Sequence, residues 1–286
     1  MVNRHTHFSG TRWIHLWLQL KQVLISSSEN EKRDYTFTNV EQLAGYQADM
    51  QQFFYHTSHN LKGPITRLNG LIELLLMDKS AEGNQQYLSK IDREVKQMNK
   101  MLSKLQTINE IAGLEVHDHK CSLGQVIDSV LSRYQNRISE KNIYVQINTD
   151  EDYELDCHEK MLFWMLDNLV ENAIIFSQSD EETQSYLKIN INKQADQLLI
   201  SVEDNGVGIR AEAYEQIFEL FYRDSPLSEG VGAGLYIVRE CAKRMHGKIS
   251  VASKPACYTR FDISVPHQAV NNVKVDIKQT FTTYKV

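Results

Sequence analysis

Three polar side chains interrupt an otherwise apolar segment, DNLVENAIIFS, which runs from Asp167 to Ser177. Asn168 and Asn172 are four residues apart, so in a helix they lie on one face with Glu171 beside them. Amide and carboxylate oxygens on one face suit a hard cation such as Mg²⁺. The same pattern is also typical of a solvated helix face, so this segment alone does not establish a metal site.

A second chemical signal is EDNGVGI, where a predicted strand runs into a turn. Asp204 at the end of this strand has the chemistry to accept a hydrogen bond from an exocyclic amine. Gly206 and Gly208 have no side chains and would let the backbone approach a planar ligand closely. An ordinary turn of the Asp-Gly type explains the same residues without any ligand.

Glycines at alternate positions open the segment GVGAGLYIV, from Gly230 to Val238. Backbone N–H groups at such a helix start, together with the helix dipole, make a phosphate site. The spacing matches neither GxxxxGKS/T nor GxGxxG, so neither a P-loop nor a dinucleotide-binding fold is supported. The preceding IFELFYR, Ile217–Arg223, predicts a short helix that core packing explains equally well, and DSPLSE after it has the composition of a mobile loop.

A candidate nucleophile, His59, lies in FFYHTSHNLKGPITRLNG, a segment with the pattern of an amphipathic helix. An imidazole with an ordinary pKa of about 6.5 is largely neutral near pH 7 and has a free nitrogen. Pro64 lacks an N–H, and its ring clashes with the carbonyl of Asn60, so we expect a bend one turn past His59. A plain surface histidine beside an apolar seam is the alternative.

Composition restricts the function classes. The chain has 286 residues and a net charge of −6, which excludes a broad basic surface for nucleic acid. Its four cysteines show no CxxC spacing, so neither a disulfide framework nor a zinc site is predicted, and a reducing cytoplasm fits best. Trp13–Ile25 is too short to span a bilayer; we expect an amphipathic helix packing on a partner, or an interfacial membrane helix.

Two apolar seams must position His59. The first consists of residues that recur every seven positions, at Phe54, Leu61, Leu68 and Leu75. A polar turn is predicted over Asp78–Gln85, and a second seam extends from Leu88 to Ala112. Two helices joined by a short turn form an antiparallel hairpin, and one hairpin cannot cover both seams. We therefore expect a homodimer in which two hairpins form a four-helix bundle.

After Gly113 helices and strands interleave, which predicts an α+β domain with a layer of helices on a sheet. The periodicity predicts helices over 123–140, 159–176 and 234–245, and strands over 142–148, 186–192, 197–203, 248–252 and 261–265. The tail contains VKVDIKQTF, which alternates and predicts an extra edge strand of no evident function.

The order of these segments resembles the transmitter part of a sensor histidine kinase from a two-component system. SHNLKGP resembles its phosphoacceptor box, NLVENA its N box, FELFYR its F box, and DNGVGI and GVGAGL its two glycine boxes. The resemblance covers residues 45–266. It implies a helical segment and linker over 1–40, a dimerisation and histidine-phosphotransfer domain over 41–115, an α/β-sandwich ATP-binding domain of the histidine kinase and Hsp90 type over 116–266, and a tail over 267–286.

The resemblance also implies roles for single residues. His59 would be the phosphoacceptor, with Asn60 beside it; Asn172 would bind Mg²⁺ with support from Asn168, and Glu171 would lie near the γ-phosphate of ATP. The other implied nucleotide contacts are Asp204 with the adenine amine, Gly206 and Gly208 around the base, Gly230, Gly232 and Gly234 at the phosphates and lid, and Phe176, Arg223 and Leu235.

The implied partner is a response regulator, whose receiver aspartate would take the phosphoryl group. No receiver-like segment is visible in the sequence, so this partner is expected to act in trans. The expected location is the cytoplasm, which includes the cytoplasmic part of a membrane-bound receptor whose sensor domain is not in this chain.

Four positions depart from the family pattern. Asn60 replaces an acid; its amide can accept a hydrogen bond from the imidazole N–H but cannot take a proton, which predicts slower phosphorylation. Gly63 replaces the Thr or Asn that orients water, which predicts weak or absent phosphatase activity. Ile175 and Leu220 replace Lys and Arg near the phosphates, which predicts low ATP affinity. The candidate substitutes for the lost charge are Arg223, Lys243 and Arg244.

Two further functions stay open at this point. The departures favour a catalytically weak, nucleotide-binding dimeric scaffold, whereas the intact His59, Asn172, Asp204 and glycines favour an active kinase. Another ATPase of the same superfamily, such as a chaperone, is disfavoured because a helical hairpin bearing His59 lies directly upstream.

Overall fold

The computed structural model describes residues 32–78, 80–114, 119–149, 154–178, 183–194, 197–224 and 230–266. The chain divides into two compact units, one ending at Gly63 and the other beginning at Pro64. Three predictions lie wholly or mostly outside the described residues: the helix over 13–25, the loop over 224–229, of which Asp224 is described, and the edge strand in the tail after Pro266. None of the described helices is long and apolar enough to cross a bilayer.

Two long helices form the N-terminal part, α1 over Lys32–Met77 and α2 over Ala81–Gly113. Helix α1 continues through Pro64. The turn between the helices is shorter than the predicted 78–85, because Ser80 caps α2 by accepting a hydrogen bond from the Gly83 N–H at 3.1 Å. Its own N–H and hydroxyl donate to Asp78 Oδ1 at 2.8 and 2.7 Å, which fixes the turn.

A partly exposed ion pair joins the two helices beyond Pro64. Arg67 on α1 donates from Nε and Nη2 to both carboxylate oxygens of Glu94 on α2, at 3.0 and 2.9 Å. Bidentate pairs of this kind fix geometry as well as adding energy. The seam around this pair is open to solvent on one side: the side chains of Ile65, Ile72, Leu88, Val95 and Leu102 are between 42% and 55% exposed.

The rest of the chain is an α/β sandwich, which confirms the predicted α+β fold class. Its helices are α3 (Leu123–Glu140), α4 (Glu159–Phe176) and α5 (Gly234–Arg244). Its strands are β1 (His119–Ser122), β2 (Tyr144–Thr149), β3 (Glu154–Cys157), β4 (Tyr186–Gln194), β5 (Gln197–Asp204), β6 (Lys248–Lys254) and β7 (Tyr258–Pro266). Five strands form one sheet in the order β2-β4-β5-β7-β6, and β1 pairs with β3 in a second, two-stranded sheet.

Alternation along the central strands builds one face of the core. Strand β4 buries Leu187, Ile189 and Ile191, and the antiparallel register places Ile189 opposite Val202 and Ile191 opposite Ile200 of β5. Only β2 and β4 are parallel; the other pairs of the five-stranded sheet are antiparallel. The sheet therefore presents a continuous aliphatic surface to the helical layer.

Helix α4 lies in the middle of that layer and carries buried side chains from Met161 to Ile174. Its apolar side chains cover nearly all directions around the helix, which is why the sequence reads as almost uninterruptedly apolar. The fully buried members are Met161, Leu162, Met165, Leu166, Leu169, Val170 and Ile174. The polar residues Asp167 and Asn168 are buried in this setting too, so their positions are fixed by the core itself.

Three sequence expectations about this half are wrong. No helix forms over 217–223; the chain instead makes short 3₁₀ turns at Ala211–Ala213 and Gln216–Phe218, and Phe221 takes a positive φ of 68°. The strands β1 and β3 were not predicted, because four residues are too few to show alternation. Cys121 is disulfide-bonded, although the cysteine spacing indicated no disulfide framework. The bond was not predicted because linear spacing does not show that β1 pairs with β3.

Candidate functional site

An open cleft lies between α4, α5 and the turn that follows β5. Ten of the residues implied by the resemblance line it: Glu171, Asn172, Phe176, Asp204, Gly208, Arg223, Gly230, Gly232, Gly234 and Leu235. Gly206 and Asn168 do not line it, although both contact residues that do. The cleft also has lining residues that the sequence did not single out, among them Lys100 and Lys104 of α2.

Asp204 ends β5 in the floor of this cleft and is only 7% exposed. Its Oδ1 accepts a hydrogen bond from the Gly206 N–H at 2.9 Å. Burial raises the pKa of this carboxyl to about 7; the charge of Glu203 adds to the effect and the hydrogen bond from Gly206 opposes it. The group therefore changes charge near neutral pH and has an oxygen available to a donor in the cleft.

The glycines after β5 are required by close approach of backbone to backbone. A Cβ at Gly206 would lie 2.3 Å from the carbonyl oxygen of Phe176, and one at Gly208 would lie 2.4 Å from that of Lys254. Gly208 also has a φ of 70°, which side chains disfavour. We expected these glycines to let the backbone approach a planar ligand; the close contacts that the described residues make are with the end of α4 and with the β6–β7 turn.

The second glycine segment enters α5 from the 3₁₀ region. Gly232 has a φ of 74° and accepts a hydrogen bond from the Phe221 N–H at 2.7 Å, and a Cβ there would meet the Phe221 backbone at 2.7 Å. Ala233 occupies the N-cap position of α5, and within the described residues no side chain caps this helix. The first N–H groups of α5 therefore face the cleft without the side-chain acceptor that a helix start usually has.

The polar residues of α4 meet the lysines of α2. Asn168 donates from Nδ2 to the Trp164 carbonyl at 2.6 Å, which turns its Oδ1 toward Lys104 Nζ at 2.7 Å. Glu171 receives Lys100 at 2.7 Å and Lys104 at 3.2 Å on its two oxygens. Burial disfavours the charged form of Glu171, but the charges of Lys104 and Lys100 outweigh it and lower the pKa of this carboxyl.

These oxygens fit a hard cation. Amide and carboxylate oxygens of Asn168, Glu171 and Asn172 are the ligands that Mg²⁺ prefers, and the ammonium of Lys104 already lies against two of them. Within the described residues no group of three or more His, Cys, Asp or Glu side chains could hold a metal alone. A cation here would therefore need phosphate oxygens to complete its coordination, as is usual for Mg²⁺.

A buried network fixes the rotation of α4. Asp167 Oδ1 accepts hydrogen bonds from the hydroxyl of Tyr134 and from Arg133 Nη1, both at 3.0 Å. Burial raises the pKa of Tyr134, so its hydroxyl stays protonated and keeps donating. At the C-terminal end of α4, Lys141 Nζ donates to the Ile174 carbonyl at 2.6 Å. A cation at a helix C-terminus is favourable because of the helix dipole.

The candidate substitutes for the missing basic residues lie in different places. Arg223 lines the cleft, together with Ile175 at the departed position. Arg244 instead caps the end of α2 by donating to the carbonyl oxygens of Ile111, at 3.1 Å, and Ala112. Lys243 pairs with Glu240 at 3.1 Å. Neither lines the cleft, so the charge expected from these two residues is absent there.

Lys100 and Lys104 were missed by sequence reasoning. They are four residues apart and therefore share a face of α2, which was the only available signal. Nothing local to α2 indicates that this face meets α4, more than sixty residues away in sequence.

His59 lies on α1 with an exposed side chain. The ring of Tyr55 stacks beside it, with centroids 6.4 Å apart and planes 24° from parallel. Asn60 donates from Nδ2 to the His56 carbonyl at 2.8 Å, one turn back along the same helix. The amide group expected to accept from His59 thus has its nitrogen bound to the backbone.

Comparisons with known proteins cover both parts of the chain. Residues 49–112 match the family model described as His Kinase A (phospho-acceptor) domain, and residues 157–269 match that of the histidine kinase-, DNA gyrase B- and HSP90-like ATPases. The heme sensor protein HssS of Staphylococcus saprophyticus is 28% identical over 220 residues, in a match that covers 76% of this chain. This chain covers 46% of HssS, so it spans less than half the length of that relative.

Solved structures show the same fold. Histidine kinase AdeS of Acinetobacter baumannii superposes with a TM-score of 0.59 at 20% identity, covering 75% of this chain and 98% of that one. Histidine kinase ThkA, solved in complex with response regulator protein TrrA, superposes with a TM-score of 0.64 at 20% identity, covering 85% of this chain and 68% of that one. With a phospho-acceptor domain followed by the ATPase domain, the chain belongs to the sensor histidine kinases of two-component systems and comprises their transmitter region.

Proposed function

We propose that this chain is a protein-histidine kinase that moves the γ-phosphoryl group of ATP to His59 and then to an aspartate of a response regulator. The observation that carries the proposal is the cleft, where Asp204, the polar face of α4 and the uncapped start of α5 converge. An adenine amine, a metal-bound triphosphate and a helix N-terminus are the natural partners of these three features.

Asp204 binds the base in this proposal. Its carboxylate accepts a hydrogen bond from the exocyclic amine, while Gly206 keeps the other side of the carboxylate occupied. The apolar side chains of Ile175, Phe176 and Phe261 line the cleft and exclude water from the base. A nucleotide lacking the amine would leave a buried carboxyl without its donor, which gives the site its preference for adenine.

The backbone N–H groups at the start of α5 bind the phosphates. Gly234 is the first residue of α5, and a Cβ there would lie 3.0 Å from Asn168 Oδ1, so the glycine leaves room for a ligand beside the amide. Asn172 would hold Mg²⁺ with support from Asn168. When bound, the ion neutralises the charge that develops on the transferred and leaving oxygens.

His59 acts as the nucleophile. A neutral imidazole nitrogen forms a bond to the γ-phosphorus while the bond from phosphorus to the β–γ bridging oxygen breaks, and ADP leaves with that electron pair. The proton on the other ring nitrogen is released to water, because Asn60 has no basic group. In the second step a carboxylate oxygen of the receiver aspartate bonds to phosphorus while the nitrogen–phosphorus bond breaks, and the imidazole leaves in its neutral form after its other ring nitrogen takes up a proton from water.

The proposal includes two partners. A second copy of the chain would cover the seam residues Ile65, Ile72, Leu88, Val95 and Leu102, whose exposure is costly for a lone hairpin. A response regulator is supported by the fold likeness to ThkA, which was solved with its regulator TrrA. Gly63 offers no side chain to position water, so dephosphorylation of the regulator is proposed to be weak.

Incubation of the purified chain with γ-labelled ATP and Mg²⁺ tests the proposal. Label should enter the wild-type chain, whereas Asn172→Ala and Asp204→Ala should each reduce it at least a hundredfold, because each removes a directly binding group. Lys193→Ala, on β4 outside the lining residues, is the matched control and should be labelled normally. Tight ATP binding without any label would contradict the kinase and support the nucleotide-binding scaffold.

A further inference from the structure

Helix α2 contributes two lysines to the wall of the nucleotide cleft. Lys100 and Lys104 both line it, with side chains that are 33% and 14% exposed. Ordering two long cationic side chains this far out of water costs conformational entropy and hydration, and the cost must be offset by partners at the site. The described residues supply one carboxylate for the two ammonium groups, that of Glu171.

The position of Lys104 places its charge beside the start of α5. Its Nζ lies 2.7 Å from Asn168 Oδ1, and the same oxygen would lie 3.0 Å from a Cβ at Gly234. The amide oxygen that binds Lys104 therefore lies on the side of Gly234 where a side chain would be. A phosphate bound to the first N–H groups of α5 would lie within reach of the Lys104 ammonium.

The other charges that line the cleft do not cancel this pair. Asp224 is engaged by Arg210 at 2.7 Å, and Asp204 lies at the end of β5, where it binds Gly206. On this side of the cleft the two ammonium groups of Lys100 and Lys104 therefore share one carboxylate, that of Glu171, which favours an anionic ligand beside them.

Position 175 supplies no positive charge to this cleft. The resemblance places a lysine there, but the chain has Ile175, an apolar side chain in the cleft wall. Lys243 and Arg244 are used elsewhere, on Glu240 and on the end of α2. Lys100 and Lys104 bring amino groups to the same cleft from a different element.

We propose that Lys100 and Lys104 bind the terminal phosphates of the nucleotide, in place of the basic residue absent at position 175; the proposal rests on the ATP-binding function proposed above. When no nucleotide is bound, Glu171 pairs with both ammonium groups and keeps them at the cleft. Because the lysines belong to the phosphotransfer hairpin, the affinity for ATP depends on α2 lying against α4. Any displacement of α2 weakens the binding of ATP more than the binding of a nucleotide with fewer phosphates.

Calorimetric titration of the whole chain with ATP, ADP and AMP tests this inference. The variant Lys100→Gln plus Lys104→Gln should bind ATP about tenfold or more weakly, because charge-assisted bonds to phosphate are lost, with AMP affinity within about twofold of wild type. Lys96→Gln is the matched control, since Lys96 lies on the same helix, is 74% exposed and pairs with Asp92. It should change neither affinity.

The single variants Lys100→Gln and Lys104→Gln keep one lysine on Glu171, so neither leaves a buried carboxylate unpaired, and each should lose ATP affinity several-fold. Unchanged or tighter ATP binding in the single and double variants would overturn the inference, because the lysines would then only restrain Glu171. Failure of the wild-type chain to bind ATP and AMP would overturn the proposed function itself. Asp204→Ala distinguishes a defect in base binding from a defect in phosphate binding, since it should lower the affinities for ATP and for AMP to the same extent.

Discussion

The ATP-binding half and the helical hairpin bury their apolar residues in opposite ways. Helix α4 is enclosed within its own domain, with Met161, Leu162 and Met165 fully buried. On the hairpin, Ile65, Leu88 and Leu102 stay about half exposed. The ATP-binding half therefore builds its site within one chain, whereas the hairpin leaves apolar side chains exposed, which we propose a second hairpin covers. Changes in the two regions should accordingly affect different observables.

The largest expected effect concerns Asp204 and pH. Its folded pKa of about 7 lies above an unfolded value of about 3.9, so the folded state holds the proton more tightly, and the stabilisation is lost as pH rises from about 4 to about 7. Over the whole window this amounts to on the order of 4 kcal/mol. Urea unfolding of wild type and Asp204→Asn at pH 5 and pH 8 measures this effect. From pH 5 to pH 8 the free energy of unfolding should fall more for the wild type than for the variant, which has no carboxyl at this position. Parallel pH profiles would contradict the burial of this carboxyl.

The second prediction addresses the core of α4. Leu166→Ala should lower the free energy of unfolding by about 3 kcal/mol, because a fully buried side chain is replaced by a cavity. Chemical denaturation with constant m-value measures the loss. Leu76→Ala on the hairpin, where the side chain is 77% exposed, is the control and should change the stability of the monomer by less than about 0.5 kcal/mol.

The third prediction addresses the orientation of α4. Tyr134→Phe should cost about 1–2 kcal/mol, because Asp167 keeps Arg133 but loses a buried hydroxyl donor. Nucleotide affinity should fall with it, since Asn168, Glu171 and Asn172 follow Asp167 on the same helix. Tyr144→Phe, at a 39% exposed position of β2, provides a matched comparison. Equal stabilities of the two variants would show that the Asp167 network does not hold α4.

The smallest effect on folding, and a large one on assembly, is expected on the seam. Leu88→Asn replaces a side chain that is 55% exposed, so the ATP-binding domain should melt as in wild type. Dimerisation should weaken, because an amide replaces an apolar contact at the proposed interface. Sedimentation equilibrium measures the dimer, and Lys90→Gln on the same helix is the control. A variant as dimeric as wild type would place the interface elsewhere.

Periodicity predicted those elements of the ATP-binding half whose own residues show a clear apolar pattern. The helices over 123–140 and 159–176 have the predicted limits, because Val126, Ile127 and Val130 repeat on one face and α4 is apolar throughout. The 3₁₀ region was mispredicted because the bond from Phe221 to the Gly232 carbonyl, a distant contact, outweighs the helical propensity of FELFYR. Strands β1 and β3 were missed because they stabilise each other as a pair.

The candidate site was predictable to the extent that its residues carry local motifs. Asp204 and the glycines belong to turns whose geometry needs them, so they appear in the sequence as motifs. Lys100 and Lys104 carry no motif, since their role arises only where α2 meets Glu171. The same holds for Arg244 at the end of α2. The charged groups at this site are brought together by contacts between elements that are far apart in sequence. No short segment of the chain contains both partners of such a contact, so local patterns do not predict it.

The chemical identity of the phosphorylated side chain is the most direct test of the proposed kinase. After incubation with γ-labelled ATP and Mg²⁺, the wild-type chain should carry acid-labile, base-stable phosphate that maps to His59. His56→Ala, one turn away on the same helix, should keep the label, and His59→Ala should lose it completely. Label that persists in His59→Ala, or that is stable to acid, would contradict phosphoryl transfer to this imidazole.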